Sequence, residues 1–143
     1  MQVKSGRMKT VIWILGCIAI GVIVVSVGLN AIIGRGVYNE SQKAVAQFGG
    51  GRVEALIALA DCQICSVYDR TQAVWALGQL RDKRALPILY KYYTGGPCDH
   101  QRQICQKELR KAIRWTEGNS FMLPQLWRPL LPDNKDRPSK ILD

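Results

Sequence analysis

The strongest constraint on this chain is a long stretch near its N-terminus that carries no charge. Residues 10–34 read TVIWILGCIAIGVIVVSVGLNAIIG, and the next charged side chain is Arg35. About 20 apolar residues in a helix cross the hydrocarbon core of a bilayer, and a helix satisfies every backbone group there. Trp13 and Tyr38 lie near the two ends, where aromatic side chains suit the membrane interfaces. We therefore predict a single transmembrane helix over residues 10–33.

Two other uses of this stretch agree less well with its pattern. The apolar region of a cleaved signal peptide is usually about 7–15 residues long and ends at a small-residue cleavage site. This run is longer and has no evident A-x-A site. The letters ILGC at 14–17 resemble a bacterial lipobox, but the apolar run continues well past Cys17. We interpret Cys17 as a small residue of the membrane helix.

The flanking charges favour one orientation of this helix. Residues 1–9 contain Lys4, Arg7 and Lys9 and no acidic side chain, whereas the basic residues just after the helix are offset by Glu40. Basic loops stay on the cytoplasmic side. We predict a single-pass protein with a cytoplasmic N-terminus (residues 1–9) and an extracytoplasmic C-terminal domain, periplasmic in a bacterium. The formal charge of +9 then favours acidic protein or anionic lipid over nucleic acid.

The rest of the chain has helical periodicity and no sustained alternation of a strand. Apolar residues recur at helical spacing within 53–60, 73–80, 86–93 and 104–113, and the aspartates Asp69, Asp82 and Asp99 are placed as helix caps. We predict an all-α fold with a polar stalk over residues 34–51, a helical body over 52–117 and a proline-rich apolar cap or tail over 118–143.

The predicted helices repeat along the chain. Leu56 is matched by Leu89, 33 positions later, and Leu77 by Leu109, 32 positions later. A period of this size indicates a short α-solenoid, here of about two helical hairpins. Solenoids generally need three or more repeats, so a body of two requires an additional source of stability.

One segment of this repeat resembles a known family. Residues 70–93, RTQAVWALGQLRDKRALPILYKYY, resemble the short HEAT repeat of the phycobilisome-lyase-related type. The resemblance implies antiparallel helix pairs and a protein-binding role, and it extends more weakly over residues 52–117. It does not imply lyase activity. The residues that carry it are Ala73, Ala76, Leu77, Gly78 and Leu80, the turn RDKRA at 81–85, and Leu86, Pro87 and Leu89.

Four cysteines of the body offer the missing stability. Cys62, Cys65, Cys98 and Cys105 lie in an extracytoplasmic domain by the prediction above, where such a set indicates disulfides. One disulfide typically contributes about 2–4 kcal/mol to a small domain. Four cysteines allow three connectivities. We favour bridges between the two hairpin loops, because cross-links between units would stabilise a repeat stack most.

Other uses of these cysteines rank lower. Zinc would take Cys62, Cys65, Cys98 and either His100 or Cys105, although the second pair lacks the spacing of a zinc knuckle. A thioredoxin-like CxxC needs a βαβ context, and haem attachment needs a histidine where Ser66 stands. His100 is interpreted as an exposed residue of a first helical turn. We expect no cofactor and no metal, with zinc as the alternative.

Two surfaces are candidate partner-binding sites. Lys107, Arg110, Lys111 and Arg114 share one face of the last helix, which fits either a solvated face or contact with an acidic partner. Tyr90 is the candidate contact residue among the three neighbouring tyrosines Tyr90, Tyr92 and Tyr93.

The apolar tail either caps the body or docks on a partner. Its candidate contact residues are Phe121, Leu126 and Trp127.

The predicted function is a membrane-anchored scaffold, adaptor or accessory subunit of a membrane complex, with protein partners. An enzyme is not expected, because no Ser/His/Asp set, paired catalytic carboxylates or phosphate-binding loop occurs. The alternative is a zinc-binding or thiol-redox protein that uses Cys62 and Cys65 with Cys98 and Cys105. A third interpretation, a ligand-binding or lyase-like HEAT protein, would require a bound chromophore.

Overall fold

Five α-helices and one short 3-10 helix form the part of the chain that the computed structural model describes. The backbone is described for residues 3–118 and the side chains for residues 9–118. No strand occurs within these residues, which confirms the predicted all-α class. The chain divides into two compact units, with the boundary between Ile33 and Gly34.

Helix α1 runs over Val3–Phe48 and contains the uncharged stretch. The large apolar side chains of its first-unit part are exposed in the isolated chain, and Trp13 is 75% exposed. The side-chain amide of Asn30 donates a hydrogen bond to the backbone oxygen of Ser26 at 2.9 Å, so this polar group is satisfied within the helix. Among the described helices, α1 alone is long enough and apolar enough to cross a membrane.

The segment predicted as a polar stalk has a buried face. Residues 34–48 are helical, and Val37, Ser41, Ala44 and Val45 are buried within the second unit. Their spacing of i, i+4, i+7 and i+8 forms one stripe of a helix. The buried Ser41 hydroxyl donates a hydrogen bond to the backbone oxygen of Val37 at 2.7 Å, so its hydrogen-bond donor is satisfied. The sequence analysis missed this buried stripe because the segment is polar on average and the stripe is narrow.

Helix α2 covers Arg52–Asp61 and α3 covers Val67–Leu80. Ser66, and not the predicted Asp69, is the N-cap of α3. The Ser66 hydroxyl accepts the Asp69 N–H at 3.0 Å and lies 2.6 Å from the Asp69 carboxylate. A serine followed by an acidic residue at the third helical position is a variant of the capping box. Asp69 therefore lies in the first turn of α3, whereas we predicted that it would cap this helix.

The connection to the next helix follows the predicted turn chemistry. Arg81 ends α3 with a left-handed φ of 53°, a 3-10 helix covers Lys83–Ala85, and α4 covers Leu86–Tyr92. The Asp82 carboxylate accepts the Arg84 N–H at 2.9 Å, which confirms the predicted cap. Pro87 lies in the first turn of α4, where a missing N–H removes no helical hydrogen bond.

The last described helix is shorter than predicted. Helix α5 covers Gln106–Thr116, and Cys105 is its N-cap residue. Residues 93–105 have an irregular path, whereas we expected residues 99–105 to form the first turns of this helix. The Asp99 carboxylate accepts the Gln101 N–H at 3.1 Å in a local turn and caps no helix. The Gln106 side chain accepts the Thr94 N–H at 2.9 Å and donates to the Tyr92 oxygen at 3.1 Å, which holds both ends of the segment together.

The leucines that define the sequence repeat form the centre of the core. Leu56, Leu77, Leu89 and Leu109 are fully buried. Helix α3 packs against both α2 and α5, and α4 packs against α5. Helices α3 and α5 approach closely at Gly78, where a Cβ atom would come 2.8 Å from the Ala112 Cα atom. The repeat therefore marks residues with the same buried role in successive helices.

Candidate functional site: the cysteine segments and the exposed helix faces

The first cysteine pair lies in the short loop between α2 and α3. The sulfur atoms of Cys62 and Cys65 are in bonding contact, and their Cα atoms are 5.4 Å apart. This Cα distance is normal for a disulfide. The Gln47 side-chain amide donates a hydrogen bond to the Cys65 sulfur at 3.6 Å. Ile64, between the two cysteines, is 99% exposed, so the loop presents an apolar side chain at its tip.

The second cysteine pair closes the irregular segment before α5. The Sγ atoms of Cys98 and Cys105 are 2.8 Å apart. Cys105 is buried, whereas Cys98 is half-buried. The structure thus groups the four sulfurs into two local pairs, contrary to the expected bridges between the loops. The reason is that residues 98–105 turn back on themselves instead of forming the predicted helix, so Cys98 meets Cys105.

The backbone of α5 makes Cys98 different from the other sulfurs. Its Sγ accepts the Lys107 N–H at 3.4 Å, in the first turn of α5. Hydrogen bonds from the Cys105 thiol and then from the Lys107 backbone, the largest causes, hold the pKa of Cys98 below its ordinary value. The positive end of a helix and its free N–H groups favour a thiolate.

The donor atoms around this pair test the zinc prediction. Cys98, His100 and Cys105 have side-chain donor atoms within 4.8 Å of one another. Cys62 and Cys65 do not belong to this group, so the predicted four-residue set is divided among the described residues. Two thiolates on one tetrahedral zinc ion lie about 3.8 Å apart, given Zn–S bonds of about 2.3 Å. The observed 2.8 Å is closer than that and suits a pair that forms a disulfide.

A polar cluster that the sequence analysis missed joins the ends of α2 and α4. The Asp61 carboxylate accepts hydrogen bonds from the Lys91 ammonium and the Tyr92 hydroxyl, both at 2.6 Å. These two bonds, in that order, lower the pKa of Asp61 from its ordinary value. The buried Arg70 donates to the Ala60 oxygen at 3.0 Å, and its guanidinium lies 4.9 Å from the Tyr92 ring centre. The sequence did contain a signal for this contact. Asp61 and Lys91 are 30 positions apart, close to the repeat period, so they lie at nearly equivalent positions of successive repeats.

The predicted basic face of α5 is exposed. Lys111 pairs with Glu108 at 2.8 Å across one turn of the helix. Tyr90, on α4, is 51% exposed and donates its hydroxyl hydrogen to the Glu117 carboxylate. That bond raises the pKa of Tyr90. The exposed basic residues are Lys107, Arg110, Lys111 and Arg114. The tail residues Phe121, Leu126 and Trp127 lie outside the described residues.

Two clefts meet at Trp75 within the second unit. One, of about 490 Å³, lies between α1 and α3 and is lined by residues that include Tyr38 and Trp75. The other, of about 360 Å³, lies between α3 and α5 and is lined by residues that include Trp75 and Trp115. Gly36 allows this arrangement, because a Cβ atom there would come 3.0 Å from the Trp75 ring. Both tryptophans stand off the main apolar face of their helices, which was the available sequence signal.

Comparison with known proteins confirms the repeat. The family model described as PBS lyase HEAT-like repeat matches residues 69–94, which contain most of α3, the 3-10 helix and all of α4. No curated protein and no solved structure matches the chain. The matched residues include Gly78 and Pro87, the positions where helices approach closely and where α4 begins. The chain thus carries a HEAT-like repeat.

Proposed function

We propose that this protein is a membrane-anchored scaffold for protein–protein interaction. The HEAT-like repeat at residues 69–94 carries the proposal, because HEAT repeats commonly bind other proteins. In this proposal α1 spans a membrane through residues 10–33, residues 1–9 are cytoplasmic and the helical body is extracytoplasmic. The body, residues 52–117, is a short α-solenoid of two hairpins, and residues 118–143 form a cap or tail. The scaffold role itself requires no catalytic site.

Two local disulfides staple this body in our proposal. Cys62 pairs with Cys65, and Cys98 pairs with Cys105, as their sulfur contacts support. Both pairs close short loops at the ends of helices α2 and α4. An oxidising compartment outside the cytoplasm would keep them closed. These staples compensate for a repeat number below the usual minimum.

The partner that fits best is an acidic protein surface. Lys107, Arg110 and Arg114 are exposed on α5, and Tyr90 adds an exposed ring on α4. Aromatic and arginine side chains are enriched among residues that dominate binding energy. Opposite charges also speed the encounter of two proteins. The partner is expected to belong to a membrane complex, where a tethered scaffold meets it at high local concentration.

Site-directed photo-cross-linking in intact cells tests this function. A photoreactive side chain replaces Tyr90 or Arg110, and the matched control carries it at Arg102, which is 88% exposed in the irregular segment. We expect a cross-linked protein partner from Tyr90 and Arg110 but not from Arg102. Substituting Arg114→Glu should weaken the cross-link at position 110. Equal adducts at all three positions, or none, would remove the support for this binding face.

Accessibility to protease tests the topology separately. A protease added outside cells whose outer barriers have been opened should digest the body at its exposed lysines and arginines after the disulfides are reduced. A tag placed before residue 1 should stay protected until detergent is added. Protection of the body together with digestion of the tag would reverse the proposed orientation.

Zinc binding is the second candidate, and the grouping of Cys98, His100 and Cys105 is the observation that favours it. The purified full chain would then hold zinc in a one-to-one ratio. The variant His100→Ala would lose that zinc, whereas Cys62→Ser would keep it. Elemental analysis of the two variants beside the unaltered chain separates this candidate from the disulfide.

A further inference from the structure

We propose that Cys98 and Cys105 form a thiol–disulfide exchange site, in which Cys98 is the attacking sulfur and Cys105 the resolving sulfur. The substrate class is a disulfide that carries negative charge close to its sulfur atoms. This inference rests on the local Cys98–Cys105 pairing proposed above and does not depend on the scaffold role.

The distance between the two sulfurs allows exchange without a large movement of the backbone. Their Sγ atoms are 2.8 Å apart across a loop that Gln106, at its end, closes through hydrogen bonds of its side chain with Tyr92 and Thr94 at its start. A resolving thiol has to reach the mixed disulfide quickly, before a second external thiol does. The closed loop holds Cys105 against Cys98 for that step.

Access to solvent differs between the two sulfurs. Cys105 is 4% exposed, whereas Cys98 is half-buried and lines a cleft of about 120 Å³. That volume is about four times the share of one water molecule in the liquid. Thiol–disulfide exchange requires direct attack on a disulfide sulfur, so the accessible thiol reacts first. An incoming disulfide therefore meets Cys98 and not Cys105.

The surroundings of Cys98 favour its thiolate form, which is the nucleophile. Its sulfur accepts the Lys107 N–H in the first turn of α5. In contrast, the Cys65 sulfur accepts its bond from the side-chain amide of Gln47 and not from the backbone of a helix. The two cysteine pairs therefore differ in the donors around their sulfurs, although both close short loops.

The exchange balances in two steps. The Cys98 thiolate attacks one sulfur of the external disulfide R–S–S–R, forms a mixed disulfide and releases one R–S⁻. The Cys105 thiol loses its proton to water, and its thiolate attacks the Cys98 sulfur and releases the second R–S⁻. Two protein thiols are oxidised to one disulfide, and one external disulfide is reduced to two thiols. The reverse sequence reduces Cys98–Cys105.

The charge of the cleft selects the substrate. Lys107 and Arg110 line it together with Cys98. Both are cations at neutral pH, and the cleft contains no acidic side chain among its lining residues. A disulfide with a carboxylate near its sulfurs gains attraction on approach.

Reaction of the reduced full chain with two aromatic disulfides tests this proposal. The chain carries Cys17→Ser and is kept in detergent, and the probes are the anionic dithiobis(nitrobenzoate) and the neutral dithiodipyridine. Stopped-flow absorbance gives the rates, and peptide masses identify the modified sulfur. We expect Cys98 in the Cys105→Ser variant to react about tenfold or more faster than Cys105 in the Cys98→Ser variant, because both access and thiolate content favour Cys98. With both cysteines present, each chain should release two equivalents of probe thiol from this pair.

Arg110→Gln and its matched control Arg114→Gln test the charge selection. Arg110 lines the cleft and Arg114 lies one turn further along α5. We expect Arg110→Gln to slow the anionic probe about two- to fivefold with little effect on the neutral one, as the loss of one steering charge would. Arg114→Gln should affect neither probe.

Three outcomes would overturn the proposal. The first is a Cys105 rate equal to or above that of Cys98, which would leave the staple standing without an exchange role. The second is a stable mixed disulfide on Cys98 that Cys105 never resolves, which would also remove the second staple. The third is that neither Cys98 nor Cys105 reacts with the probes until a chelator is added. That result would show that the two cysteines bind a metal ion.

Discussion

Arg70 shows how much a single side chain depends on its tertiary surroundings. The sequence repeat pairs it with Arg102, 32 positions later. Arg70 is 7% exposed, donates to the Ala60 oxygen and lies over the Tyr92 ring, whereas the Arg102 side chain is 88% exposed. The planar guanidinium stacks on a ring and donates a hydrogen bond at the same time. A lysine ammonium cannot make both contacts, so replacing arginine by lysine loses one of them.

We expect Arg70→Lys to lower the free energy of unfolding of the second unit by about 1–3 kcal/mol, because a buried hydrogen bond and a ring contact are lost. Arg102→Lys is the matched control and should change it by less than about 0.5 kcal/mol. Denaturant unfolding followed by far-ultraviolet circular dichroism measures both. Equal effects of the two substitutions would contradict the different roles of the two arginines.

Asp61 supplies a pH-dependent contribution. Its folded-state pKa is lowered, so its stabilising effect is fully present above its unfolded value of 3.8 and is lost as the pH falls through the folded value. We expect Asp61→Asn to lower the Tm at pH 7 by about 2–5 °C, a modest effect because the side chain is 44% exposed and solvent screens the pair.

The difference in Tm between the Asp61→Asn variant and the unaltered chain should shrink between pH 5 and pH 2.5, a range about the unfolded value of 3.8. Lys91→Met removes the first cause of the lowered pKa and should reproduce part of this pH dependence. Calorimetric scans at several pH values measure it. A difference in Tm that stays constant over this range would show that Asp61 acts through its shape and not through its charge.

At the level of elements, α3 is the helix on which the second unit depends. It packs against α2 and α5 and contains residues 69–80 of the HEAT-like match. Its packing with α5 relies on Gly78, where a Cβ atom would come 2.9 Å from the Ala112 Cβ atom and 3.3 Å from the Trp115 ring. Helices come this close only where one of them lacks a side chain.

We expect Gly78→Ala to destabilise the second unit by about 1–3 kcal/mol through overpacking. The usual effect in a helix is opposite, since alanine is favoured over glycine by about 0.5–1 kcal/mol. Gly21→Ala is the control, because nothing lies within 4 Å of the position of its Cβ atom. Chemical denaturation of both variants decides. A stabilised Gly78→Ala variant would mean that α3 and α5 are not in close contact.

At the level of the whole molecule, the sulfur connectivity decides how the body is stapled. Local pairing closes loops of a few residues, and each such disulfide contributes about 2 kcal/mol by the loop-entropy relation. A bridge between the two hairpin loops would close more than 30 residues and contribute about 4 kcal/mol by the same relation. The two local disulfides that we propose would therefore each stabilise the body less than a bridge between the loops would.

Tryptic peptides of the unreduced chain test this pairing. Cleavage after Arg102 separates Cys98 from Cys105, so local pairing should link peptide 92–102 to peptide 103–107. Cys62 and Cys65 both lie in peptide 53–70, which should show the mass of an internal disulfide. A link between peptide 53–70 and either of the other two would restore the bridges between loops that the sequence suggested.

The sequence predicted those features that arise from local chemistry and periodicity. The uncharged run of α1, the all-α class, the Asp82 cap, the position of Pro87 and the buried register of Leu56, Leu77, Leu89 and Leu109 all follow from patterns a few residues wide. The HEAT-like resemblance at residues 70–93 also agrees with the family match. Helical spacing and the repeat were sufficient because each residue is compared only with its near neighbours or with its repeat equivalent.

Tertiary structure decided those features that depend on contacts between residues far apart in the sequence. Residues 99–105 have a helical apolar pattern, but the Gln106 side chain bonds the backbone of Tyr92 and Thr94, before the segment, and α5 begins only at Gln106. The Cys98–Cys105 contact follows from that change of path. The buried stripe of residues 37–45 and the Asp61–Tyr92 cluster likewise depend on which helix lies opposite. Sequence alone determined where helices are favoured, whereas packing decided where they stop and which sulfurs meet.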